Sequence, residues 1–528
     1  MISVKWSVLP SYTAQTLLRM VSAYGLSLFI AILYAYTAYR SKLAAVVLIP
    51  LLDILQSIPV LSFLPGIVLA LIALFPGQRI GLEIAAILLI STGMTWNMVF
   101  SFYQSLLSLP RELKEASQTY RLKAWQRFWT VELPAGAIGL VWNSVMSMAG
   151  GWFFLMAIES FTLGQQSFQL PGLGSFLAVA ANQGNMLAIL VGVGVLITVI
   201  IAIDFLVWQP LIAWAERFKF ESVEAERIPQ SPVLDFLRRS PTLRLLSERL
   251  WGSLWEGIDQ LAIHLTPHSV SPSREQPNRG QRWRNGLVLG GGLVLLIWGS
   301  SEALQLLRLL NGQDWQRIAL GSLWTAGRVL LALVLSLLWT VPVGVAIGRH
   351  PPLAQFLQPL VQIAASVPAT ALFPVLLLGL VNHSGGLQLG SVALMMLGTM
   401  WYLLFNVIAG AQSIPSELFE AAEVYRLPPL ERWRTLILPG IFPYLMTGVI
   451  TAVGGAWNAS IVSEYVQFQG QILQADGLGE IISQATETGN FPLLLAATVV
   501  MASLVVLTNR LVWHPLYRLA QEKYQLLI

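Results

Sequence analysis

"ELKEASQTYRLKAWQRFWTVELP", residues Glu112–Pro134, and "ELFEAAEVYRLPPLERWRTLILP", residues Glu417–Pro439, align without a gap at a constant offset of 305 residues and agree at eleven of 23 positions. Both are polar islands in a chain that is 55% hydrophobic and only 11% charged. The first island and its lead-in hold Arg111, Glu112, Lys114, Glu115, Arg121, Lys123, Arg127 and Glu132. At roughly 2.5–3.5 kcal/mol for each charge at a bilayer centre, burying them in hydrocarbon would cost on the order of 20 kcal/mol. The islands therefore lie outside the bilayer, while the apolar runs around them cross it. A mean hydropathy of +0.66 and repeated runs near the ~20 apolar residues that a helical crossing needs make this an all-α polytopic membrane protein.

The correspondence extends far beyond the islands. At the same offset Trp96 pairs with Trp401, Trp152 with Trp457, Glu159 with Glu464, and Gly172-Leu173-Gly174 with Gly477-Leu478-Gly479. Nearer the amino terminus the offset becomes 309, pairing Thr16 with Thr325, Arg19 with Arg328, Arg40 with Arg349, Ser57-Ile58-Pro59 with Ser366-Val367-Pro368, and Pro65 with Pro374. A four-residue length difference between Pro65 and Gly93 accounts for the change. The chain is a tandem duplication of whole membrane domains, far longer than solenoid repeats of roughly 20–50 residues.

Residues 1–215 form the first domain, 216–285 a polar, soluble linker, and 286–528 the second domain, led by an extra apolar helix at 286–307. Five crossings are expected in each copy, at 14–39, 44–75, 82–108, 136–160 and 186–214, then at 318–348, 353–381, 387–412, 440–464 and 491–516. With the extra helix the total is about 11. Six crossings separate equivalent points, an even number, so the copies are parallel and both islands face the same side. Arg40, Lys42, Arg111, Lys114, Arg121, Lys123, Arg127, Arg217 and Lys219 crowd that side. The positive-inside rule makes it cytoplasmic, with the amino terminus outside and the carboxyl terminus inside. The net charge of +4 is thereby read as topology, not as nucleic-acid binding.

No cysteine is present, which excludes disulfides and thiolate chemistry, and the five histidines are too scattered to suggest a metal cluster. Within each island a proline opens a short helix, acidic residues suit its positive first turn, and a second proline closes the segment. Pro428-Pro429 breaks the second island just after Leu427. The expectation is helix, turn, helix. Small residues at Ala116-Ser117 and Ala421-Ala422 allow close packing, and exposed aromatics suit a partner surface. The residues alone leave two readings open, a docking surface or an amphipathic loop lying on the membrane.

Glu115-Ala116-Ser117 and Glu420-Ala421-Ala422, each ending at the proline of "VELP" or "LILP", resemble the EAA loop of ATP-binding-cassette importer permeases. The "SIP" or "SVP" after a cytoplasmic arginine and the "GLG" before the last domain helix are similar to the nitrate, sulfonate and taurine branch. Both copies depart from that pattern in one respect, since the loop glycine is Arg121 or Arg426; the first also has Ser117 for the second alanine. The resemblance implies a permease of the bacterial or archaeal cytoplasmic membrane, a fused dimer that presents one coupling loop to each of two ATPase subunits. ATP and magnesium would be bound by those subunits and no cofactor by this chain; none of its six lysines follows a glycine as a Walker A lysine must. A periplasmic or lipid-anchored binding protein would deliver the solute, an anion such as nitrate, a sulfonate, taurine or bicarbonate.

Carried across by position, Glu115, Ala116, Arg121 and Arg127, with Glu420, Ala421, Ala422, Arg426 and Arg432, are expected to couple to the ATPases. Ser57 and Pro59, with Ser366 and Pro368, would shape the path through helix kinks, or be kinks satisfied by neighbouring helices. Trp152 and Trp457 stand as gate or packing residues, Glu159 and Glu464 as structural hydrogen-bond partners or binding-protein contacts. Asn458 stands as a pore residue or an interhelical hydrogen bonder. The rival function is a gradient-driven secondary transporter with parallel repeats.

Overall fold

The computed structural model describes residues 2–57, 59–76, 78–163, 166–218, 232–239, 290–291, 294, 297–380 and 385–524. Most of the expected linker and the start of the extra helix fall outside the described residues, although 297–307 is helical. Eight described helices are long and apolar enough to cross a membrane.

In the first copy, α1 (Leu9–Arg40) carries a proline in its first turn and buries Thr16, Arg19, Met20, Ala23, Ser27, Ala31 and Ala35 along one face. Small residues on that face let backbones approach, which is how membrane helices gain contact without a hydrophobic drive. Ser27 Oγ donates to the Ser91 carbonyl at 3.0 Å, which ties α1 to α4 (Arg79–Leu107). The expected second crossing is instead two helices, α2 (Lys42–Ser57) and α3 (Leu64–Leu74). The island follows as α5 (Arg111–Thr119) and α6 (Ala124–Arg127). A π-helical turn at Phe128–Glu132 leads into α7 (Leu133–Glu159). Strands β1 (Ser160–Leu163) and β2 (Gln166–Gln169) pair antiparallel, and α8 (Leu173–Asn182), α9 (Met186–Ile203) and α10 (Gln209–Ala215) complete the copy. Within the linker, α11 (Pro232–Arg239) is helical.

The second copy repeats the order: α12 (Gly312–Arg349), α13 (Pro351–Ser366), α14 (Ala369–Leu380), α15 (Gly386–Gln412), α16 (Ser416–Val424), α17 (Pro429–Arg432) and α18 (Leu438–Ser463). Strands β3 (Tyr465–Phe468) and β4 (Gln471–Gln474) then precede α19 (Leu478–Thr488), α20 (Phe491–Thr508) and α21 (His514–Tyr524). The bend between α13 and α14 is 85°. Proline explains it: Pro368 has no N–H for the helix ladder, and Val367 before it is held extended at ψ 120°. The proline kinks expected from sequence are full breaks.

The hairpins lie in the segments read from sequence only as connections. Gln469-Gly470 turns the second one with φ of 51° and 73°, the two left-handed residues that a tight hairpin turn requires. Gln469 N–H donates to the Ala181 carbonyl of α8 at 3.3 Å, so the hairpin ends of the two copies meet. The islands lie at the opposite ends of α7 and α18 and share the other face of the molecule. The halves also exchange contacts at the breaks: Val60 N–H donates to Asn458 Oδ1 at 2.9 Å, and Thr370 Oγ1 donates to the Phe153 carbonyl at 3.2 Å. Phe153 and Asn458 are equivalent by the 305 offset, so these bonds describe a pseudo-two-fold arrangement.

Candidate functional site

Both islands end their first helix in the same way. Leu122 N–H reaches the Ser117 carbonyl at 3.1 Å and Arg121 N–H the Gln118 carbonyl at 2.9 Å; Leu427 to Ala422 and Arg426 to Glu423 repeat the pattern at 3.0 and 2.9 Å. This pair of bonds is the Schellman cap, whose residue just past the helix must be left-handed. Arg121 and Arg426 both sit there at φ 50°. The family's glycine thus has a physical reason, and the arginines adopt the same hand at a cost of roughly 1–2 kcal/mol each. Their side chains are exposed, as are Glu115, Glu420 and Ala421; Ala116 is half-buried and Ala422 is buried beneath the helix.

Arg127 is not presented outward. It is buried against the fully buried Glu132, Nε to Oε1 2.8 Å, and Arg40 approaches the other carboxylate oxygen at 3.6 Å. Its internal pairing runs against the expectation of a partner contact. The second copy has Ile437 where the first has Glu132. There, among the described residues, Arg432 pairs with Glu423 alone, at 3.8 Å, and Arg349 lies 3.5 Å from the Phe419 ring centroid as a cation–π pair.

A cavity of about 720 Å³ opens between the halves. Trp96 and Trp401, equivalent by offset, both line it, with Gln56, Asn97, Phe153 and Asn458. Pro368 lines it as well, while Pro59 is buried beside the first break. The side chains of Ser57 and Ser366 lie outside the described residues. Trp152 and Trp457 are buried in the core, 2% and 3% exposed, and do not line the cavity, so packing is where the structure puts them. A second cavity of about 340 Å³ lies towards the hairpins, lined by residues of both copies including Leu61, Thr370, Tyr465 and Glu487. The crossed bonds at Val60 and Thr370 lie between the two spaces.

Glu159 and Glu464 line neither cavity. Each is fully buried at the end of its long helix and clamps the "GLG" loop. Thr16 Oγ1 donates to Glu159 at 2.8 Å and accepts from Leu173 N–H at 3.0 Å, while Gly174 N–H donates to Glu159 at 2.7 Å. Thr325, Leu478 and Gly479 repeat this around Glu464 at 2.9, 2.8 and 2.8 Å. A Cβ on Gly172 or Gly477 would collide with the carboxylate, which is why the loop needs glycine. Arg19 Nη1 lies 2.7 Å from Glu159 and Arg328 Nη1 2.8 Å from Glu464. The repeat pairing had located Thr16, Arg19 and their partners without a role. Sequence reading missed Glu83, which binds Arg19 by two further contacts of 2.5 and 2.8 Å.

Two segments, 25–209 and 340–514, match the model of the binding-protein-dependent transport system inner membrane component. The chain belongs to that family. Family membership places this multi-pass chain among the transport permease subunits of the inner membrane. Similar proteins include the bicarbonate transport system permease protein of Synechocystis sp., 28% identical over 30% of this chain and 52% of its own length. The nitrate import permease protein of Leptolyngbya laminosa is 25% identical over 38% of the chain and 67% of its own. For the taurine transport system permease protein of Escherichia coli the figures are 26%, 37% and 63%. The chain thus spans between half and two thirds of the length of these curated relatives.

Proposed function

We propose that this chain supplies both membrane halves of an ATP-driven importer. Two ATPase subunits would dock on its two islands, and a periplasmic or lipid-anchored binding protein would dock at the hairpin end. The observation that carries the reading is the pair of identically capped helix pairs at one end of a two-fold structure whose halves enclose a cavity. ATP and magnesium belong to the partners.

Each island is mechanically continuous with the path. From Ala124 to Glu159 the chain is one 36-residue helical rod, about 54 Å long at 1.5 Å per residue. Its near end carries the capped helix, its far part Phe153, and its tip the Glu159 clamp. Drawing the islands together as two ATPases close would tilt both rods. The crossed bonds at Val60 and Thr370 then break, and the cavity opens towards the hairpins. Proton-driven transporters carry their relays on ionisable side chains within the membrane; among the described residues lining the cavity, none carries a formal charge.

Affinity purification of the full chain from its native membranes tests the reading. Two ATPase subunits per chain are expected, with ATPase stimulation lost on combining Glu115→Lys with Glu420→Lys. Absence of any co-purifying ATPase, or uptake and stimulation untouched by the double substitution, would refute it.

A further inference from the structure

Resting on the transport reading above, we infer that the solute this chain passes is an organic molecule with a planar apolar body and no net negative charge. Among the described residues, neither cavity is lined by a lysine, arginine or histidine. The formal charge on these linings is the carboxylate of Glu487, in the outer cavity, where the Tyr465 hydroxyl donates to it. At the edge of the inner one, the carboxylate of Asp204 accepts from Gln362 at 3.5 Å. An oxyanion leaving water for such a space meets no opposite charge to offset its desolvation.

What the inner cavity offers instead is aromatic surface and neutral hydrogen bonds. Trp96, Trp142, Phe153, Trp401, Tyr402 and Phe405 supply walls from both halves. Gln56, Asn97 and Gln358 supply carboxamides. Trp513 and Asn509, one turn apart, both line the space, and the Trp513 indole N–H and the Asn509 carboxamide oxygen lack hydrogen-bond partners. A flat solute with one acceptor and one donor matches that pair. Aromatic faces attract a planar ring, and attract a cation more strongly, while they repel negative charge. The volume agrees: about 720 Å³ lies in the range of sites that bury whole organic ligands.

Tryptophan fluorescence of the purified full chain in lipid nanodiscs tests this, with nicotinamide and benzamidine as aromatic probes against nitrate, bicarbonate and taurine. Saturable quenching by at least one aromatic probe, at least tenfold tighter than any of the three others, is expected. Trp401→Phe should retain that binding within a few-fold, Trp401→Ala should weaken it at least tenfold, and Asn97→Lys should shift preference towards nitrate. Equal or tighter binding of nitrate, bicarbonate or taurine to the unaltered chain, or aromatic binding indifferent to Trp401→Ala, overturns the inference. ATPase co-purification, measured on the same membranes, is independent of the probes. Its presence alongside an anion preference would refute the solute class and leave the transport reading intact, whereas its absence refutes the latter.

Discussion

Replacing Glu464 by Gln should destabilise the protein more than replacing its repeat equivalent Glu159, although the two carboxylates occupy matching sites. At Glu464 a single oxygen, Oε2, accepts from both Thr325 and Gly479, so glutamine can keep both donors. At Glu159 the Thr16 and Gly174 donors sit on different oxygens, and the Thr16 hydroxyl can turn to the carbonyl four residues back and accept from the new amide. In both copies the main perturbation therefore falls on the buried arginine. Among the described residues, Arg328 would keep the Asp476 carbonyl alone, at 2.8 Å. Arg19 would keep the carboxylate of Glu83, held by both Nε and Nη2. Removing one partner of a buried pair costs about 3–5 kcal/mol because the remaining charge is stranded. That full figure is expected for Glu464→Gln. For Glu159→Gln the retained pair, on a carboxylate 35% exposed, should offset about 1–2 kcal/mol. Thermal unfolding of the detergent-purified chain, followed by tryptophan fluorescence, should show the larger drop in midpoint for Glu464→Gln. Equal drops, or a larger one for Glu159→Gln, would refute the reasoning; a double Glu159→Gln, Glu83→Gln variant should bring the first copy down to the level of the second.

Four further outcomes follow from the geometry. Arg121→Val and Arg426→Val should disturb the left-handed caps by at least about 1–2 kcal/mol and loosen ATPase binding in pull-downs; the glycine substitutions should keep the caps, so a smaller loss of binding in them reports the arginine charges alone. Glu132→Gln strands the buried Arg127 and should lower the unfolding midpoint, with recovery in the Glu132→Ile, Arg127→Leu pair. Gly172→Ala and Gly477→Ala should each reduce the amount of folded protein in membranes, read by size-exclusion chromatography, because the added carbon displaces a clamped carboxylate. Burial raises the Glu480 carboxyl above its ordinary range, against the pull of Arg317. The folded state therefore holds its proton more tightly than the unfolded state. The stability this contributes is complete below the ordinary carboxylate range and lost as pH rises through the raised value. Midpoints measured across the acid range should show that decline flattened in Glu480→Gln.

The repeat, the parallel orientation and the two islands were legible because charge in an apolar chain and a constant offset survive without any knowledge of packing. The double offset even located Thr16, Arg19 and their copies. Their role was hidden because a buried clamp is a property of three segments meeting, and Glu83 has Gln388 at its 305 offset, with no repeat partner to flag it. The breaks at Pro59 and Pro368 were visible as prolines, but hydropathy runs straight through them, so each looked like one crossing. The hairpins are only four residues per strand, and the Gln469-Gly470 turn was the one local signal for them. Four π-helical turns, at Phe128–Glu132, Asp204–Trp208, Trp433–Ile437 and Asn509–Trp513, recur at the same offset among the described residues. Each extra residue turns the helix beyond it by about 100°, but in helices that are apolar on nearly every face the shift leaves no mark in the hydropathy pattern.

The crossed bonds from Val60 to Asn458 and from Thr370 to Phe153 bear on how such a chain evolves. Each half ends its broken crossing on the other half, so neither copy can drift at these positions without its sibling. A duplicated gene that met this constraint would be free to diverge in its outward faces, as the exposed pair Trp129 and Arg434 have diverged. Its central seam would remain under joint selection. Substitutions at Asn458 should therefore find their suppressors near Val60, 398 residues away in the chain, and not among their own neighbours.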